Sequence, residues 1–299
     1  MNRIAFPLAV AALLSACGGN QPASGPTPSL PPVALRAVGD SVLYVEQTEA
    51  HTVIDRPGDT LLIQSNHTAV IHVVRTAPDT LEAYYEYLQL RFATPSQTRN
   101  VDTRALIGPR FVLHEDQGSI ETVSAPELPD EIRQLTDLRR QFDDFFLRTH
   151  GRALAVGEEW TDTLVMGGTE GEAGSERRTL TRFRVRGDTA LYGIPGRIIE
   201  YESTIEAHLR TAPTREGVLR SSLTGGENGT FVYSPERGVM LQRERVGVLE
   251  GEIVVEGNLE TLRFPQSYSY ESRVALIPPG QPALALPHTP VPPRTTPQP

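Results

Sequence analysis

Cys17 is the only thiol in the chain, and it ends an apolar run in the stretch LLSACGGN. A lone cysteine has no intrachain partner for a disulfide, and in an exported chain it calls for another use. The other chemistry-bearing residues are dispersed. His67 and His72 lie five apart in strand-like sequence, on opposite faces of a regular strand, which works against a shared metal. Asp143 and Asp144 are adjacent on an expected helix and diverge there, as part of its solvated face. Glu158 and Glu159 precede Trp160, but a glycosidase needs two carboxylates about 5 to 9 Å apart across one site, and nothing singles out such a pair. No G-x-S-x-G elbow, H-E-x-x-H helix or cysteine pair is present. Gly225-Gly226-Glu227-Asn228-Gly229 reads as a loop with no helix behind it to hold phosphate. Arg186-Gly187-Asp188 reads as a turn between strands. No catalytic residue, metal or cofactor is expected.

Composition narrows the partners. All 28 basic residues are arginine, which excludes Schiff-base and P-loop lysines. The net charge of the whole chain is −9. Removing residues 1–16 takes away Arg3 alone and leaves 27 basic against 37 acidic groups, a net charge of −10. That balance argues against nucleic acid, which selects clustered positive charge.

Arg3, the apolar run Ile4 to Leu14 and the small residues after it have the layout of a secretory signal, too short to span a bilayer. Leu14-Ser15-Ala16-Cys17 resembles the lipobox of bacterial lipoproteins. The resemblance implies cleavage after Ala16, a diacylglycerol on the Cys17 thiol and a bilayer as partner. It places the protein at the bacterial cell envelope, with Gly18 after the cysteine favouring the outer membrane over the inner. Residues 18–32, rich in Gly, Pro and Ser, bury too little to offset their ordering entropy, so 17–34 reads as a lipid-anchored tether. Residues 278–299 hold nine prolines and read as a disordered tail.

Between these ends, 35–277, the pattern is mainly β. TLLIQS (60–65) and TAVIHVVR (68–75) read as two short strands split at Asn66-His67. Residues 80–92 read as one strand whose apolar set runs Ala83, Tyr85, Tyr87 and then shifts to Leu88, Leu90, Phe92. Such a phase change predicts a bulge. Asp116-Gln117-Gly118 predicts a hairpin turn. Ile132, Leu135, Leu138, Phe142, Phe145 and Phe146 form a helical stripe after the N-cap candidate Asp130, so 130–150 is expected to be an amphipathic helix packed on a sheet. About twelve antiparallel strands in all exceed one flat sheet and predict a barrel, half-barrel or sandwich. Two short echoes, Ala37-Val38-Gly39-Asp40 with Ala155-Val156-Gly157-Glu158, and Arg56 to Thr60 with Val185 to Thr189, leave open whether 35–125 and 152–277 are a duplication or share turn chemistry.

Val156-Gly157-Glu158-Glu159-Trp160 is similar to a turn of exported bacterial β-domains of unknown function, over roughly residues 35–277. Many strands with one greasy face, a covering helix and a lipid tether also resemble the half-barrel carriers that move lipids or lipoproteins across the periplasm. That resemblance implies a non-enzymatic protein whose helix lids an apolar cavity, with a hydrophobic ligand or an envelope protein as partner. Tyr85, Tyr87, Phe92, Phe142, Phe145, Phe146 and Trp160 are the candidate lining residues. A structural or adhesive surface protein is the alternative, and a hydrolase with a dispersed site a more distant one. If Cys17 carries the anchor, the Cys17→Ser protein should leave salt-washed membranes for the soluble fraction in cell fractionation, and its retention there would refute the anchoring.

Overall fold

The computed structural model describes residues 33–128, 138, 141–170, 173–211, 217–257 and 260–281; of 168–170 and 173 it gives the backbone alone. Cys17, the signal peptide, all of the tether but Val33 and Ala34, and residues 282–299 of the tail lie outside that set. So do 129–137 and 139–140, in the expected helix.

The described chain is mainly β. Its strands are β1 (Ser41–Arg56), β2 (Asp59–Ala77), β3 (Thr80–Ala93), β4 (Thr98–Asn100), β5 (Arg110–Asp116), β6 (Ser119–Ser124), β7 (Glu159–Glu170), β8 (Ala173–Leu191), β9 (Ile194–Arg210), β10 (Val218–Ser234), β11 (Val239–Glu256) and β12 (Thr261–Ile277). They form one antiparallel sheet in the order β6-β5-β3-β2-β1-β12-β11-β10-β9-β8-β7, with β4 added beside β3 and no closure of β6 on β7. The expected bulge is present. Val70 pairs with Tyr87 and Ile71 with Tyr85, so Glu86 is the extra residue and the inward face passes from Ala83 and Tyr85 to Leu88 and Leu90. The β5–β6 hairpin turns on Gln117 and Gly118, both at positive φ, which matches the right-handed twist of its strands.

Expectations of three kinds are corrected, on the strands of 60–75, on two glycine-containing stretches and on the helix. Residues 60–65 and 68–75 are one strand, β2, because Asn66 and His67 stay in register with Glu49 and Thr48. The GGENG stretch lies inside β10, not in a loop, and Arg186-Gly187-Asp188 lies inside β8 at a bulge, not in a turn. The third concerns the helix. Its described part contains no α-helix: Gln141–Asp144 is a single 3-10 turn followed by irregular chain. The physical reason is burial on every side. Phe142, Asp143, Phe145, Phe146 and Leu147 are all buried, so this segment has no wet face for a 3.6-residue stripe to define.

Residues 141–150 instead form a plug on the inner face of the sheet. Phe142 packs edge-on against Phe111 and Phe145, and Phe145 and Phe146 against Tyr44. At one edge the Thr122 N–H on β6 donates to Asp143 at 2.6 Å. At the other, Arg148 Nε donates to Asp162 on β7 at 2.6 Å, and His150 Nε2 lies 3.0 Å from the same carboxylate. Eleven strands laid flat would hold these edges about 48 Å apart, whereas the five residue-to-residue steps from Asp143 to Arg148 span at most about 18 Å. The sheet must therefore curl round the plug into an open half-barrel.

The middle of the plug is held by β11. Arg243 Nη1 donates to the Phe145 carbonyl at 3.0 Å and also to the Asp144 carbonyl, with its guanidinium beside the Phe145 and Phe231 rings. Arg243 is 2% exposed, so its charge depends on these carbonyls and on nearby carboxylates. Arg243→Met should lower stability by about 3 kcal/mol, since it orphans buried acceptors, while Arg273→Met on the exposed outer face should cost about 0–1 kcal/mol. Urea unfolding of both variants measures the contrast.

Candidate functional site

The plug covers only part of the inner face. Towards Tyr44, Leu241, Val274 and Leu276 that face is packed into the main core. Towards the hairpins at 56–59 and 256–261 it is left uncovered by the described chain. The docked segment Val33–Asp40 sits at the opposite end, where Leu35 N–H donates to Arg237 O and Arg75 Nε to Leu35 O.

A polar belt divides the two halves. Cross-strand register places Tyr270, Gly247, Glu227, Ser203, Thr181 and Asp162 in one rung across β12, β11, β10, β9, β8 and β7. Glu227, in the GGENG stretch, accepts hydrogen bonds from Tyr201 Oη at 2.8 Å and from Tyr270 Oη. Glycine makes this possible. A Cβ on Gly247 would lie 2.4 Å from the Tyr270 ring, and one on Gly229 would lie 2.7 Å from Tyr201 Oη. Both rings lie flat across bare backbone to reach one carboxylate.

Asp144 of the plug faces Glu227 across two guanidinium groups. Arg245 Nη1 donates to Asp144 at 2.8 Å and lies 3.6 Å from Glu227. Arg177 lies 3.5 Å from Asp144 and 3.9 Å from Glu227. On the β1 side, Gln141 donates to Glu46 at 2.9 Å and accepts from Tyr85 Oη. Three arginines, Arg177, Arg243 and Arg245, thus face three carboxylates, Glu46, Asp144 and Glu227. Burial raises the Asp144 pKa, but the charges of Arg245, Arg177 and Arg243 outweigh it and hold the carboxyl below its ordinary range. Asp144 is therefore ionised near neutral pH. Burial raises Tyr201 and Tyr270, which stay protonated as donors.

Above the belt lies an open cavity of about 570 Å³. Leu249, Leu223, Leu209 and Met166 form one apolar wall, Tyr268 and Thr52 stand on the other side, and Arg177, His67 and Gln141 lie at the floor. Leu209 is 45% exposed at the rim. His67 Nε2 is buried without a hydrogen-bond partner, and burial pushes the imidazole pKa down. His72 points to the other face, where it meets Tyr84 and Glu86.

None of the seven expected lining aromatics lines this cavity. Tyr85, Phe142, Phe145, Phe146 and Trp160 are buried in the core, with Trp160 stacked on Phe183 at 4.8 Å. Phe92 packs against that core, and Tyr87, placed after the bulge, is exposed. The residues that do line it include strand leucines, two arginines, Arg177 and Arg245, and two tyrosines outside the expected set, Tyr268 and Tyr270. Their only sequence-level mark is the alternation that puts Arg243, Arg245, Gly247 and Leu249 on one face of β11.

No known protein family matches this chain, and no curated protein does. Among solved structures it is similar to lipovitellin, in a structure of its lipid–protein interactions, at 12% identity over 81% of this chain with a TM-score of 0.49. This chain spans 25% of the lipovitellin chain. It is also similar to the translocator domain of the autotransporter NalP from Neisseria meningitidis, at 7% identity over 80% of this chain and 88% of that one, TM-score 0.21. A third likeness is to engineered proteins of asymmetric conductivity, at 6% identity over 80% of this chain and all of the other, TM-score 0.21. None reaches 0.5, and function is left to the residues of this chain.

Both perturbed groups at the floor make stability fall with acid. The lowered His67 pKa means that the unfolded chain binds the extra proton first, so stability present above about pH 6.5 is lost as the pH falls below it. The lowered Asp144 pKa adds a second loss below about pH 4. Urea midpoints should drop from pH 7 to 5, and His67→Gln should flatten that slope.

Proposed function

We propose that this protein is a non-enzymatic lipoprotein of the bacterial envelope, anchored in the outer membrane through acylated Cys17, that binds an apolar ligand in the cavity beside the plug. The observation that carries the binding reading is the cavity itself. Its volume falls within the range of about 300–1,000 Å³ of small-ligand sites, and its apolar wall rises from a few convergent polar groups. Leu209 and Leu249 are inward-facing on long strands that a filled barrel would cover, yet the plug stops at the belt. The anchor rests on the lipobox resemblance of Leu14 to Cys17. Two acyl chains on one cysteine hold a protein firmly, at about 0.8 kcal/mol per buried methylene. The cavity opens at the end of the sheet opposite the docked Val33–Asp40 segment.

The test uses the Cys17→Ser full chain and a polarity-sensitive apolar dye, N-phenyl-1-naphthylamine. Saturable binding at one site is expected. Leu249→Glu, which puts a charge in the apolar wall, should weaken it by at least about tenfold, about 1.4 kcal/mol. Absence of saturable binding, or an unchanged affinity in Leu249→Glu, would turn the reading towards a scaffold or adhesive role.

A further inference from the structure

The three guanidinium groups of the belt are not equivalent. Arg243 is 2% exposed and committed to two plug carbonyls. The Arg245 side chain is 14% exposed and hydrogen-bonded to Asp144 at 2.8 Å. The Arg177 side chain keeps 29% of its surface and reaches no carboxylate closer than 3.5 Å. Its Nε and Nη2 are buried donors without a hydrogen-bond partner among the described residues. Buried donors left unpaired are costly, and a guanidinium presents its donors as a planar fork that matches a carboxylate.

Position adds to this. Arg177 springs from β8 between Met166 and Ala207, in the part of the wall nearer the mouth, and its head reaches back towards Asp144 and Glu227 at the belt. It lies alongside the apolar wall of Leu209, Leu223 and Leu249. The facing carboxylates of the floor are already engaged, Glu46 by Gln141 and Asp144 by Arg245. Arg177 is thus the one cation of the belt that is loosely paired, reachable and next to an apolar wall.

We infer that the ligand is a single-chain amphiphile with one carboxylate end, bound head inward, with its carboxylate on Arg177 and its chain running along Leu249, Leu223 and Leu209 towards the mouth. This rests on the cavity being a ligand site, as proposed above, and adds the class and direction of the ligand. The Arg177 head turns from the belt to the incoming carboxylate, which accepts from its donors, and the apolar chain covers the rim.

The experiment is displacement of bound N-phenyl-1-naphthylamine from the Cys17→Ser full chain at pH 8 by oleate and by methyl oleate, which share a chain and differ in charge. Oleate should displace the dye at concentrations at least about tenfold lower than methyl oleate. Arg177→Gln should bring the two within about twofold while leaving methyl oleate unchanged, and Arg177→Lys should restore part of the preference. Equal displacement by both in the unsubstituted protein, or a preference for the ester, would overturn the head-inward assignment and leave the cavity reading standing. A preference for oleate that survives in folded Arg177→Gln would overturn the role of Arg177. Failure of both compounds and of the dye would overturn the cavity reading together with this one. Should Arg177→Gln not fold, the comparison of acid and ester in the unsubstituted protein still decides the ligand class.

Discussion

Two neighbouring arginines on one strand carry the architecture. Arg243 caps the carbonyls of the plug and Arg245 pairs with its Asp144, both inside the half-barrel. A guanidinium there is tolerated only where every nearby polar group answers it, so the plug cannot shift without leaving charges uncompensated. Asp143 and Arg148 then tie the same segment to the two free edges of the sheet. One short stretch of chain thus fixes the curl of the sheet and fills part of its inner face with phenylalanines, and the described chain leaves the part beyond the polar belt uncovered.

The open half follows from what glycine permits. Gly229 and Gly247 let Tyr201 and Tyr270 lie across the strands and converge on Glu227, which closes the belt as a floor of hydrogen-bonded polar groups. Beyond that floor the inward positions return to leucine and line the cavity. A polar floor under an apolar wall is a shape suited to an amphiphile, and Arg177, the most exposed of the three belt arginines, stands where the two meet.

Much of the fold was legible in the sequence, for stated reasons. Period-two alternation marked nearly every strand, and the phase change between Tyr87 and Leu88 marked a bulge that the structure places one residue earlier, at Glu86. The helix was misread because Phe142, Phe145 and Phe146 fit a helical stripe equally well when they belong to a segment buried all round. GGENG reads as a loop because glycine usually breaks strands; here Gly229 makes room for the Tyr201 ring from β9, as Gly247 on β11 does for Tyr270 from β12, which no local pattern reveals. The site was missed for a related reason. Size and apolarity single out Tyr85, Phe142, Phe145, Phe146 and Trp160, which fill the core, whereas the cavity is walled by leucines and by Tyr268 and Tyr270, whose inward direction is fixed by register. Arg177, Arg245 and Glu227 meet across β8, β11 and β10, a convergence of long-range pairing alone.

The most direct test of a site left open by the plug is native mass spectrometry of the Cys17→Ser full chain purified from a bacterial periplasm, followed by organic extraction and by re-exposure to excess long-chain amphiphile. The account predicts one apolar ligand per chain, either co-purified or regained on exposure, and its loss when the cavity is filled by Leu223→Trp. A clean apo mass that takes up no ligand on exposure would contradict it and leave the half-barrel as a scaffold.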